Sequence, residues 1–271
     1  MPSPAISIVM PFYNPGPYLA EAIDSILRQQ FSDFEFIILN DGSTDGSEAV
    51  VCGYADPRIR YLENDRNRGL VFTLNRGLQE ARAPLLARMD ADDIALPDRL
   101  SVQHTYMQQH PEAGLVAAVV ELIDAQGRPM GYWKEDHDHT DTADIQSFLA
   151  VNNCIAHPTV LARTEIIRAL GYREEQGEAE DYDLWLRWIS AGYSIHKINQ
   201  VLLRHRILPK SFTRQRQQNV FFKLAGTKGR FIRHELSQRR YNDFVLATAL
   251  MALGDLAKGT GKAIKKIMQA S

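Results

Sequence analysis

Apolar and polar residues alternate along the first hundred positions with two periods, one typical of strands and one typical of helices. Short apolar runs predict four strands, at residues 6–10, 34–39, 59–62 and 85–89. Apolar residues at helical spacing predict helices between them, at residues 19–27 and 69–81. A further helix is predicted after the turn at residues 41–45 and ends at about residue 54. Such alternation predicts an α/β fold with a mainly parallel sheet and helices on both sides.

Three polar segments begin where predicted strands end. They occupy residues 11–14 after the first strand, residue 41 after the second and residues 90–93 after the fourth. In an open α/β sheet, ligands bind at the carboxyl ends of the strands, near the point where the strand order reverses. We therefore expect these three segments to meet in one crevice.

The last of these segments concentrates negative charge. Asp90, Asp92 and Asp93 place three carboxylates within four residues. Like charges this close repel, so the arrangement suggests a neutralising cation, and oxygen ligands suit Mg²⁺ or Mn²⁺. The alternative interpretation is a solvated acidic turn that leads into a helix opened by Pro97.

The middle of the chain is less regular. Residues 115–122 predict a buried strand, residues 124–127 a turn, and residues 155–161 another strand. Residues 133–144 carry two histidines and five acidic residues, which predicts an exposed loop. His137 and His139 suggest a metal site, but a solvated loop is favoured because no Cys or third His lies at ligand spacing. A helix is predicted to start near Asp181.

The composition changes after about residue 213. Residues 215–218 are polar, residues 244–256 are apolar, and four lysines follow. We interpret residues 1–213 as the main domain and residues 214–271 as a helical extension. The basic end, with Ile264 and Met268, suggests contact with an anionic membrane surface. The favoured alternative is a pair of helices packed on the main domain with a solvated lysine face.

Composition excludes several other classes of protein. The 271 residues carry a formal net charge of −2, with no long basic stripe in the main region, so nucleic-acid binding is not expected. Two cysteines do not make a disulfide framework, and no secretory signal or stretch of roughly 18–20 apolar residues is present. We therefore expect a cytoplasmic protein.

Several ordered segments resemble glycosyltransferase family 2, whose members have the GT-A fold. Asp90-Ala91-Asp92 resembles the DXD motif of glycosyltransferases that use nucleotide sugars. Residues 6–14 resemble the opening strand and P-x-Y-N element of the family, and residues 40–45 its second block. Glu180-Asp181, followed by Trp185, resembles its late acidic block. The resemblance covers residues from about 5 to about 213.

The resemblance implies roles for individual residues on the donor side. It assigns Asp41 to the uracil N–H, Asp90 to the ribose and Asp92 to the metal, with Asp93 as a supporting or alternative ligand. The further nucleotide-binding candidates are Pro11, Tyr13, Asn14 and Arg68, the last beside Asn67. The residues alone leave a structural role open for each of them. Asp41 could be a turn residue and Tyr13 a packed aromatic side chain. Asn14 could organise the Pro-rich turn, and Arg68 could be an ordinary surface residue.

The resemblance also assigns the proton transfer. Asp181, the second residue of the acidic pair, is the candidate general base, and a simple helix cap is the alternative. A helix N-terminus stabilises a carboxylate, so a raised pKa there has to come from burial or from Glu180. His157, before Pro158, matches a position that shapes the acceptor side.

Two positions depart from the family pattern. Leu74-Asn75 stands where an Arg-Asn pair is common, and Leu208 stands where many relatives carry a metal-contacting His. A third ligand would then be water, His205 after a local shift, or absent. Arg206 and Lys210 are candidates to neutralise phosphate instead.

The sequence thus predicts an inverting glycosyltransferase that uses a UDP-sugar with Mn²⁺ or Mg²⁺. A glycan or lipid-linked glycan in bacterial surface synthesis is the expected acceptor. A nucleotidyltransferase is one alternative, although residues 11–17 lack the Lys or Arg of a basic phosphate loop. A catalytically inactive protein that binds sugar nucleotides is the other.

Overall fold

The computed structural model describes residues 3–208 and 220–270. Its strands are β1 (Ile6–Phe12), β2 (Phe34–Asn40), β3 (Ile59–Glu63), β4 (Leu85–Arg88), β5 (Ile94–Ala95), β6 (Ala113–Ile123), β7 (Pro129–Tyr132), β8 (Leu161–Arg163) and β9 (Ser194–Arg206). Its helices are α1 (Leu19–Leu27), α2 (Ser47–Cys52), α3 (Leu70–Glu80), α4 (Arg99–Gln109), α5 (Lys134–Asp138), α6 (Thr142–Leu149), α7 (Thr164–Leu170), α8 (Glu180–Ser190), α9 (Val220–Ser237) and α10 (Asp243–Ala270).

One mixed sheet contains these strands in the order β3-β2-β1-β4-β8-β6-β9-β5, with β7 paired to β6. The first four strands are parallel, as predicted, and β8 pairs antiparallel to both β4 and β6. The strand order reverses between β1 and β4. The α/β fold with helices around a sheet is therefore confirmed, and the switch point lies beside the polar segments that follow β1 and β4.

Helices cover both faces of the parallel strands. Ile8 and Met10 of β1 belong to the core cluster that includes α1, whereas Val9 belongs to the cluster that includes α3. A Cβ atom on Gly77 of α3 would lie 2.4 Å from Cγ1 of Val9, so glycine permits the close approach of this helix to the sheet. Burial on both faces explains why β1, β2 and β4 are apolar nearly throughout.

The end of β1 differs slightly from the prediction. The strand continues through Pro11 to Phe12, two residues past the predicted end. The pairing of β1 with β4 stops at Val9, while Pro11 remains opposite Leu39 of β2. Proline lacks an N–H, and it is tolerated here because no β4 residue faces it.

The strand predicted at residues 155–161 is wrong. The chain forms a 3₁₀ turn at His157–Thr159, closed by the Thr159 hydroxyl, which donates to the carbonyl of Ala156 at 2.7 Å. The strand itself, β8, starts only at Leu161 and has three residues. Proline in the apolar run favours the turn over a continuous strand.

The loop predicted at residues 133–144 is also wrong in part, since α5 and the start of α6 lie within it. Asp136 is fully buried, where it accepts hydrogen bonds from the Lys197 ammonium at 3.0 Å and from the Val120 N–H at 2.9 Å. His139 pairs with Asp144, at 2.7 Å. A partner on a distant strand therefore makes an apparently solvated carboxylate part of the core.

The C-terminal residues form a helical hairpin, as the composition predicted. Phe231 of α9 and Val245 of α10 join the same core cluster as Trp188 of α8. A buried ion pair of 2.7 Å joins Lys228 to Asp255 between the two helices. The predicted boundary near residue 213 lies outside the described residues, so the division into two domains stays a prediction. Within the described part of the chain, no helix is both long and apolar enough to cross a membrane.

Candidate functional site

The loops after β1 and β2 bind each other at the carboxyl edge of the sheet. Asn14 adopts a left-handed backbone conformation, with φ of 47°. Its N–H donates to the Ser43 hydroxyl at 3.0 Å, and its side-chain oxygen accepts the Thr44 N–H at 2.8 Å. Asn14 therefore organises the turn, while neighbouring Tyr13 is 48% exposed at the same edge. Pro11 is buried in β1, opposite Leu39 of β2, so it is part of the sheet beneath this loop.

Asp41 connects the end of β2 to the loop before α3. One carboxylate oxygen accepts the Asn64 amide at 2.7 Å and the Arg68 N–H at 2.8 Å, and the other accepts the Gly69 N–H at 2.9 Å. The side chain is almost completely buried. Asp41 thus holds the loop, and the second oxygen keeps acceptor capacity. The Arg68 guanidinium stacks on Phe72, with 4.2 Å from its central carbon to the ring centre. Nucleotide binding by Asp41 and Arg68 stays a prediction.

The acidic segment lies at the carboxyl end of β4, as expected. Asp90 forms an ion pair with Arg88, which lies buried beneath it. Asp93 is fully buried and accepts the Arg206 N–H at 2.8 Å. Burial, together with the charges of Asp93 and Asp90, raises the pKa of Asp92 to about 7. Such crowding of carboxylates fits a divalent cation, because a cation would stabilise their ionised forms.

His205, near the end of β9, completes this acidic group. Its Nδ1 atom lies 3.0 Å from Asp93, and Asp90, Asp93 and His205 each place a ligand atom within 4.8 Å of the others. Burial lowers the pKa of His205, but Asp93 and Asp90 outweigh burial and raise it to about 9. From the sequence, His205 is only a substitute for the absent His at Leu208. Its position at the end of a long strand was the available signal.

Arg206 does not carry the phosphate role considered for it. Its guanidinium is buried, donates to the backbone carbonyl of Asp92 at 2.8 Å, pairs with Glu21 and stacks on Tyr18. These contacts use the side chain to hold the acidic loop in place. Lys210 lies outside the described residues.

Glu180 and Asp181 lie at the start of α8, where a helix was predicted. Asp181 accepts the Asn153 amide at 3.0 Å and the Tyr182 N–H at 2.6 Å. Burial raises the pKa of Asp181, and burial together with the charge of Asp181 raises the pKa of Glu180 to about 7. Burial was one of the two causes that the sequence left open for a raised pKa at Asp181.

The two acidic groups lie close enough for their charges to interact. The charge of Asp90 acts on Glu180, and the charge of Arg88 acts on Glu180, Asp181 and Asp92. Arg88 is 3% exposed, and among the described residues its Nε atom has no hydrogen-bond partner. Sequence reasoning missed Arg88, because an arginine at the end of a buried strand has no distinctive local pattern. The expected convergence of polar segments thus includes the late acidic pair.

A layer of buried residues supports this pair. His157 lies 2.8 Å from the Tyr172 hydroxyl and packs edge-on against Trp185. Burial and the nearby Arg88 hold the pKa of His157 well below its usual range, so the imidazole is neutral. Asn75 binds both the N–H and the carbonyl of Tyr172, each at 2.9 Å. His157 is therefore a buried support for the candidate base.

Solved structures share this architecture. S. aureus TarS 1–349 in complex with UDP-GlcNAc superposes with a TM-score of 0.66 at 16% identity, covering 94% of this chain and 81% of that one. The mannosyltransferase PcManGT from Pyrobaculum calidifontis, in complex with GDP-Man and Mn²⁺, gives 0.67 at 20% identity, covering 97% and 76%. The fold is therefore that of a GT-A glycosyltransferase.

Sequence comparison gives the family. The family model for glycosyl transferase family 2 matches residues 7–168. The O-antigen biosynthesis glycosyltransferase WbnJ of Escherichia coli is 30% identical over 247 residues, which are 89% of this chain and 92% of that protein. The chain belongs to glycosyl transferase family 2, and it is a glycosyltransferase. The resemblance drawn from the short motifs is thereby confirmed.

Proposed function

We propose that this chain transfers a sugar from a nucleotide sugar, with a UDP-sugar as the first candidate, to an acceptor hydroxyl with inversion. The observation that carries the proposal is the meeting of the acidic group of Asp90, Asp93 and His205 with the Glu180–Asp181 pair. A cation-binding group for the leaving diphosphate and a base for the acceptor are the two functions that direct transfer requires.

Donor binding is assigned to the acidic segment. Asp92 and Asp90, with His205, would hold Mn²⁺ or Mg²⁺, which supplies Lewis-acid stabilisation of the diphosphate when bound. Asp93, which lies at ligand distance from Asp90 and His205 and also accepts the Arg206 N–H, is the supporting or alternative ligand. Mn²⁺ beside GDP-Man in the related PcManGT fold supports a divalent ion.

Nucleotide recognition is assigned to the neighbouring loops. Exposed Tyr13 offers an aromatic face to the base, and the second oxygen of Asp41 is an acceptor for an imide N–H. Arg68, half-exposed beside Asp41, is the cation for the nucleotide. TarS binds UDP-GlcNAc and PcManGT binds GDP-Man, so uracil and guanine are the two bases to compare.

Proton transfer is assigned to Asp181. The acceptor oxygen attacks the anomeric carbon, the bond from that carbon to the diphosphate oxygen breaks, and the acceptor proton passes to the Asp181 carboxylate. The Asn153 amide and the Tyr182 N–H hold this carboxylate in place. A single base without a protein nucleophile predicts one displacement and therefore inversion.

The acceptor and the location are also part of the proposal. WbnJ is described as an O-antigen biosynthesis enzyme, which supports a glycan or lipid-linked glycan acceptor in bacterial surface synthesis. A cytoplasmic location is supported by the two free cysteines, exposed Cys52 and buried Cys154.

Two substitutions test the division of labour. We expect Asp181→Asn to lower kcat by roughly 10²- to 10⁴-fold while UDP-sugar affinity changes little. We expect Asp92→Asn to weaken UDP binding in Mn²⁺ and to leave metal-free stability largely intact. The matched control is Asp33→Asn, an exposed position before β2. Retained transfer by a folded Asp181→Asn protein would refute its role as base, and unchanged UDP affinity in Asp92→Asn would refute its role in metal binding.

A further inference from the structure

Helix α10 exposes a row of leucines. Leu246, Leu250 and Leu253 are 63%, 59% and 64% exposed. Their spacing of four and three residues places them on one face of the helix. The opposite face, with Val245 and Ala252 among its members, is buried in the structure. The helix therefore has apolar residues on two faces. Only the buried face packs against other described residues.

The exposed row extends along the helix. Leu256, at its border, is 46% exposed. The helical rise gives the row from residue 246 to residue 256 a length of roughly 15 Å. Contiguous exposed apolar surface of this kind is typical of an interaction site. Single exposed leucines need no explanation, but an aligned row does.

Positive charge is concentrated in the same hairpin. Residues 220–270 contain ten lysines and arginines against three acidic residues, a net charge of +7. The rest of the chain has 21 basic and 30 acidic residues, a net charge of −9. Lys258 and Lys262 of α10 are exposed and stand one turn apart, and helical spacing places them roughly 100–150° around the helix from the leucine row. The apolar row therefore lies in the basic part of an otherwise acidic protein.

We propose that the leucine row of α10 is a docking surface for an anionic lipid bilayer. Leucines in the acyl boundary, with lysines beside anionic headgroups, are the two components by which a helix binds flat on a membrane. A second copy of this chain fits less well, because it would bring two hairpins of net charge +7 together. The acidic main domain would face away from the bilayer.

The hairpin connects this surface to the acceptor side of the site. Arg230 of α9 donates to the Gln176 side chain at 2.8 Å, and Gln176 lies four residues before Glu180. If the proposed function also holds, docking keeps the enzyme at the membrane, where lipid-linked acceptors are located. Vesicle binding tests the surface itself and does not depend on the catalytic assignment.

The experiment measures sedimentation of the full chain with vesicles of phosphatidylcholine alone or with roughly a third phosphatidylglycerol. We expect binding to the anionic vesicles that weakens as salt rises. The triple variant Leu246→Gln, Leu250→Gln, Leu253→Gln should bind at least about tenfold more weakly. Glutamine keeps helix propensity, and circular dichroism checks that the hairpin is folded. Lys258→Glu with Lys262→Glu should also weaken binding.

The matched control replaces three exposed apolar residues of the main domain, Val50, Met130 and Tyr132, by glutamine. This control should bind anionic vesicles like the unmodified chain. Equal vesicle binding by the folded leucine variant, or no binding by the unmodified chain, would overturn the proposal. Concentration-dependent dimers that the leucine variant abolishes, without vesicle binding, would assign the face to a second copy instead.

Discussion

Replacing Glu180 by glutamine should make the protein more stable, and the gain should depend on pH. The carboxyl group is 8% exposed, and burial together with the charge of Asp181 raises its pKa from 4.5 to about 7. This higher pKa corresponds to roughly 3 kcal/mol of unfavourable ionisation in the folded state. The amide of glutamine stays neutral and avoids this cost, although an unpaired buried amide returns about 1 kcal/mol of it.

The sign of the pH dependence follows from the direction of the shift. Below a pH of about 4.5, Glu180 is protonated in both the folded and the unfolded states, so the substitution changes little there. As pH rises through 4.5 towards 7, the unfolded chain ionises first, and the unmodified protein loses stability that the variant keeps. Above a pH of about 7, we expect the variant to be more stable by about 2 kcal/mol.

Urea unfolding without divalent cations, at a pH of about 8 and again at about 4, measures both free energies. Glu174→Gln is the control, because Glu174 is exposed just before α8. We expect the difference between Glu180→Gln and the unmodified protein to appear only at the higher pH. An equal gain at both values, or a loss at the higher pH, would refute the account of Glu180 as a buried, costly carboxylate.

Three further substitutions test other parts of the structure. Asp41→Ala removes the acceptor of two backbone N–H groups, so hydrogen exchange in residues 64–69 should accelerate. The preference of the protein for UDP over GDP should also fall, and a retained preference would show that Asp41 only holds the loop. Lys197→Met leaves buried Asp136 unpaired and should cost about 3–5 kcal/mol in urea unfolding, whereas the double variant with Asp136→Leu should recover most of the loss. Gly42→Ala should destabilise the protein by at least about 1–3 kcal/mol, because φ at this position is +70° and the new Cβ would lie 2.5 Å from the Arg66 carbonyl carbon. An unchanged melting temperature would show that the loop adapts.

The local pattern determined the first half of the fold and the place of the site. Strands β1, β2 and β4 are buried on both faces, so their apolar runs are readable without knowledge of their neighbours. Parallel strands end at one edge, so the polar segments after them converge there whatever the details of packing. The family motifs then predicted which carboxylates matter, and the family itself is confirmed.

Tertiary structure alone decided the partners of buried charges. Asp136 looks solvated in sequence, yet Lys197, on a distant strand, brings it into the core. His205 joins Asp93 across more than a hundred residues, because β9 pairs with β5, the short strand directly after the acidic segment. Hydrophobic periodicity records which side of an element is buried, but not which distant residue lies against it. Charges at the site are therefore matched by strand pairing, which no local pattern specifies.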